Sequence, residues 1–97
     1  MSTITITETI ERYEWVADEM VKVSTIGPKP IDQKYLDNVY SFCSDMVKLG
    51  GIERHRKHGF DADDVYIETL TSISPNRDRQ TIRTFRYTGY TNPNKGD

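Results

Sequence analysis

Between Ile31 and Leu49 the apolar residues recur at intervals of three and four, the spacing of one helix face. At about 100° per residue, Tyr35, Leu36, Val39, Phe42, Cys43 and Met46 fall on one side, and Asp37, Asn38, Ser41, Ser44, Asp45 and Lys48 on the other. Tyr40 and Val47 widen the apolar side beyond the ~100° stripe an ordinary surface helix needs. So broad a face predicts contact with more than one element and makes this helix the spine of a small core. Gly50-Gly51 closes it, because glycine accepts the left-handed conformation of helix C-termini.

Upstream, Thr3 to Thr7 alternates Thr and Ile with period two and predicts a short strand. From Glu8 the period changes: Ile10, Tyr13, Ala17, Met20 and Ser24 are three and four apart, which predicts a helix over 8–25 ending before Gly27-Pro28. A second reading makes 14–17 and 20–23 two strands joined at Ala17-Asp18-Glu19. The helix is favoured, since that turn lacks the glycine or asparagine tight hairpins prefer. A Pro-Lys-Pro linker occupies 28–30.

Downstream, Val65–Ser74 and Gln80–Tyr90 are dense in Ile, Thr, Tyr and Phe, and Pro75-Asn76-Arg77-Asp78 supplies turn chemistry. They predict a hairpin. With a four-residue loop, Val65, Ile67, Ile73 and Ile82 share one face with Thr69, Thr71 and Thr84; Tyr66, Glu68, Leu70, Arg83, Phe85 and Tyr87 share the other. The aliphatic face suits the helices, which leaves the aromatic and charged face outward. The fold class expected is α+β: a small antiparallel β-sheet of the N-terminal strand plus the C-terminal β-hairpin, packed on one face by two helices. Residues 1–91 form one domain and 92–97 a polar C-terminal tail.

Charge refines the picture. The 97 residues carry a net charge of −2, which argues against an unselective nucleic-acid binder while allowing a local basic patch. Residues 1–28 hold five acids against two bases, and residues 65–97 five bases against three acids. That asymmetry steers partners more than it specifies a fold. One cysteine excludes an internal disulfide. No charged-then-apolar leader or long apolar run appears, so a cytoplasmic protein without a membrane span is expected.

The chemistry-bearing candidates are few. His55 and His58 would share a face on a helical turn with Asp61, Asp63 and Asp64 nearby, but Arg54, Arg56 and Lys57 oppose a cation there. The segment reads as a solvated charged loop, and no metal or cofactor is expected. Cys43 keeps apolar company and reads as a core residue. The carboxylate pairs Glu11/Glu14 and Asp18/Glu19 sit on a polar face, and no phosphate-binding glycine loop follows a strand. No enzyme is expected.

Two features stand apart. On the predicted helix Trp15 projects among Glu11, Glu19 and Lys22, either as an interface anchor or as cover for a neighbouring loop. On the hairpin's outward face Arg83, Phe85 and Tyr87 combine with Arg77 and Arg79 at the tip. Such residues predominate at protein interfaces and also stack single-stranded bases. Partner binding is therefore assigned to Arg77, Arg79, Arg83, Phe85, Tyr87 and Trp15. The function expected is a small protein-binding module that docks on a larger protein or nucleoprotein complex and modulates or inhibits it. Phage-type anti-defence (anti-CRISPR-like) inhibitors share this size. The alternative is a nucleic-acid-binding protein using the basic hairpin.

Overall fold

The computed structural model describes residues 4–48 and 51–93, and of 46–48 the backbone only. Thr3, Leu49, Gly50, residues 94–97 of the polar tail and the side chains of Met46 and Val47 lie outside that set. The chain runs β1 (Thr5–Val16), β2 (Glu19–Ile31), α1 (Gln33–Lys48), β3 (Glu53–Phe60), β4 (Tyr66–Ile73), β5 (Arg79–Thr88). The strands form one antiparallel sheet in the order β2-β1-β5-β4-β3. The described residues are mostly β with one helix, which corrects the expected small sheet under two helices.

The first expected helix is instead the β1–β2 hairpin. Tyr13 pairs with Lys22 and Trp15 with Met20, and Ala17 and Asp18 make the turn at φ +50° and +65°. Positive φ at both central residues is the geometry whose twist suits a two-residue hairpin. Alternation explains the strand: Ile6, Glu8 and Ile10 are buried, while Thr7, Thr9 and Glu11 are half-buried on the opposite side. The period is hard to read because its central inward position is a glutamate. The expected 28–30 linker is part of β2, which is irregular there: Gly27 has φ +96°, and a Cβ on it would collide with the Glu8 carbonyl oxygen.

Asp32 starts α1, its Oδ1 accepting the Tyr35 amide at 2.8 Å, which satisfies one of the free donors of a helix N-terminus. The helix carries the chain from one sheet edge to the other. It buries an ordinary ~100° arc, with Val39, Leu36, Cys43 and half-buried Tyr40 inward. Phe42, expected in the core, is 58% exposed, because it lies about 60° beyond Val39 on the wheel. Under the arc sit Ile6, Leu70, Phe85 and Tyr87.

The C-terminal hairpin forms as expected, and its two faces hold the expected residues. Which face the helix covers is reversed. Glu68, Leu70, Phe85 and Tyr87 lie beneath α1, and Ile67, Thr69, Thr71, Ile73, Ile82 and Thr84 are half-buried on the open side. Each of the two buried glutamates has a partner, although Glu8 Oε2 has none among the described residues. Arg56 Nη2 lies 3.1 Å from both Glu68 oxygens. Across Phe85, buried Glu8 accepts the Tyr35 hydroxyl at 2.9 Å, with Lys29 Nζ 3.9 Å away. The expected charged loop at 53–64 is edge strand β3 followed by a turn, where Asp61 Oδ1 accepts the amides of Asp63 and Val65. On a strand His55 and His58 project to opposite faces, unlike the shared face a helical turn would give.

Candidate docking surface

The two edges of the sheet are built differently. β3 presents Glu53, Arg54, His55, Arg56, Lys57 and His58 in succession, and charged side chains on an edge discourage pairing with another chain. β2 does the reverse over its first eight residues, 19–26. All but Met20 are exposed, among them Val21 (39%), Val23 (48%) and Ile26 (47%). Past Ile26 the same edge is interrupted by Gly27, Pro28 and Pro30, which bend it and remove donors. The segment able to accept a further strand is therefore 19–26.

Register places the apolar residues. Ile26 pairs with Ile10 and Val21 with Glu14, so both share the helix-side face of the sheet with Val16. Along β1 the buried positions end at Ile10, and beyond it Arg12 and Val16 are exposed. The outer half of the β1–β2 hairpin thus carries Val16, Val21 and Ile26 on a face that no described element covers. The 13 residues of β2 would span about 43 Å when extended, close to the molecule's long dimension of 48 Å.

Trp15 stands at the end of this hairpin, 52% exposed. Its indole Nε1–H donates to the Arg77 carbonyl at 2.5 Å, and its amide to the Asp78 carbonyl at 3.2 Å. It therefore seals the β4–β5 loop and still offers half its surface. Arg77, at φ +61°, reaches Glu53 at 2.8 Å, and Arg79 lies 3.7 Å from Glu14. The fold thus brings Trp15, Arg77 and Arg79 together at one end. It does not bring the other three candidates there. Phe85 is fully buried and Tyr87 6% exposed, both beneath α1. Arg83 is half-buried opposite Ile10. The expectation that Phe85 and Tyr87 face outward is thus corrected: they are core, and burial raises the Tyr87 hydroxyl above its ordinary range.

The residues that sequence reasoning missed are Val16, Val21, Val23 and Ile26. Val16, Val21 and Val23 are β-branched, a strand signal that the helical spacing over 8–25 outweighs, and Ile26 lies just beyond that span. Comparison with protein-family models, curated proteins and solved structures finds no match. Among the described residues, no helix is long and apolar enough to cross a membrane.

Proposed function

We propose that this protein is a binding module whose β2 edge, at 19–26, accepts an extended segment of a larger protein. The observation that carries this reading is the contrast between the two edges, one blunted by charge and the other open and aliphatic. An added strand gains main-chain hydrogen bonds from the edge and side-chain specificity from alternate positions. Here Val21 and Ile26 supply the apolar contacts on one side. Trp15 anchors the far end, as large aromatic residues do in interfaces. A protein partner is favoured over nucleic acid by the state of the arginines: Arg77, Arg79 and Arg86 lie against Glu53, Glu14 and Asp61, so the basic hairpin is largely neutralised where phosphates would sit.

The test is capture of the partner from cells that naturally make this protein, using wild type beside Val21→Lys/Val23→Lys and Trp15→Ala. Hydrogen exchange is then measured on the purified complex. Binding should protect amides within 19–26. The lysine pair should abolish it while circular dichroism stays unchanged, and Trp15→Ala should weaken it by about 1–3 kcal/mol. Protection confined to β3 or to the open Ile/Thr face would refute the reading.

A further inference from the structure

A second site lies on the other side of the core and is independent of the β2 edge. Where the N-terminus of α1 meets the ends of β4 and β5, the sheet and helix leave a cavity of about 510 Å³. That volume falls in the range of small-ligand pockets, roughly 300–1,000 Å³. Its floor is aliphatic, and four tyrosines line it: Tyr40, Tyr66, Tyr87 and Tyr90. Tyr66 and Tyr90 stack at 4.7 Å and 18°, and Tyr87 meets both edge-on at 5.2 and 5.7 Å. The cluster is therefore fixed by its own ring contacts.

Among the described residues, the charged side chains on the wall are Asp32 and Glu68, both acidic. Glu68 is 6% exposed and accepts the Tyr66 hydroxyl at 3.2 Å. Its counter-ion Arg56 stands outside the cavity, with its guanidinium over the Tyr40 ring at 4.9 Å. Of the pair, Glu68 lines the cavity and Arg56 does not. Burial raises the Glu68 carboxyl above the usual carboxylate range, so a cation nearby would offset lost hydration. The Tyr40 hydroxyl oxygen is also buried and has no hydrogen-bond partner among the described residues.

Aromatic faces attract cations through the ring quadrupole, and desolvated sites strengthen the attraction. Carboxylates beside such faces reject anions. The geometry points to a binding site for a small organic cation with an alkylated ammonium head, seated in the cavity against the outer surface of the Tyr66–Tyr87–Tyr90 cluster and beside Glu68 and Asp32. An alkylated head suits the site better than a bare ammonium, because its methyl groups fill the aliphatic floor and forfeit less hydration.

The test is a two-dimensional amide NMR titration of the full chain with choline and with its uncharged isostere, 3,3-dimethylbutan-1-ol. Choline should produce saturable shifts centred on 31–36, 66–68 and 87–90, and the isostere should bind at least about tenfold more weakly. Tyr90, 45% exposed, can be truncated without opening the core. Tyr90→Ala should weaken choline about three- to tenfold, Tyr90→Phe by less than about twofold, and Asp32→Asn by an intermediate factor. Equal binding of the isostere overturns the proposal. So do the absence of saturable choline shifts, shifts centred elsewhere, or Tyr90→Phe behaving as Tyr90→Ala.

Discussion

The orientation of α1 can be tested by truncating two phenylalanines. Phe85 is fully buried beneath the helix, and Tyr40 meets its ring edge-on at 6.2 Å. Phe85→Ala should cost about 3–5 kcal/mol, the usual loss for a core phenylalanine when transfer and cavity terms combine. For a chain of this length total stability is about 5–15 kcal/mol, so the variant should melt about 12 °C or more below wild type. Phe42 is 58% exposed and has roughly two fifths of its burial left to lose. Scaled from about 1.5–3 kcal/mol for full burial, Phe42→Ala should cost about 0.6–1.2 kcal/mol. Urea unfolding followed by far-ultraviolet circular dichroism measures both. If Phe42→Ala costs as much as Phe85→Ala, the helix is rotated toward Phe42 and the description of the core is wrong.

Two further outcomes follow from the backbone and the buried charge. Gly27→Ala should lower stability by at least about 1 kcal/mol, because φ is +96° and the new Cβ meets the Glu8 carbonyl oxygen; a thermal melt equal to wild type would refute it. Burial raises the folded-state Glu68 pKa above its ordinary value, so the stability linked to its proton is fully present below that ordinary value and is lost as pH rises through the folded one. The melting temperature of wild type minus that of Glu68→Gln should therefore grow as pH falls from about 6 to about 4; a shrinking difference would contradict the burial.

What the sequence displayed and what it concealed have physical causes. The C-terminal hairpin was legible because both arms are β-branched and aromatic and Pro75-Asn76 punctuates them. Its covered face is not legible, because polarity there runs opposite to exposure. Glu68 and Arg83 mark the inner face, and Ile67 and Ile82 the open one. A charge is tolerated inside only with a partner, and Arg56 arrives from a strand whose own composition resembled a loop. Charge on β3 reflects protection of an edge, which no local propensity encodes. Of the candidate site, Trp15, Arg77 and Arg79 were legible as residue types. Their convergence depends on the β1–β2 hairpin, and with a helix over 8–25 they would not meet.

That hairpin rests on a turn that uses neither of its favoured residues, and this makes the turn a direct test of the fold. Ala17 and Asp18 both hold positive φ. Left-handed backbone costs an ordinary L-residue about 1–2 kcal/mol and aspartate somewhat less. Asn-Gly is the preferred pair for this turn, since asparagine tolerates the left-handed region and glycine enters it without steric cost. Ala17→Asn/Asp18→Gly should therefore raise stability by about 1–2 kcal/mol, offset in part by the greater freedom glycine gives the unfolded chain. A net gain of about 0.5 kcal/mol or more is expected in urea unfolding. Had residues 8–25 been helical, the same change would place a glycine mid-helix and replace the best helix former with a poorer one. It would then destabilise by about 1 kcal/mol or more. The two architectures thus predict opposite signs for one double variant. A loss would remove the β1–β2 hairpin, and with it the open β2 edge on which the proposed docking depends.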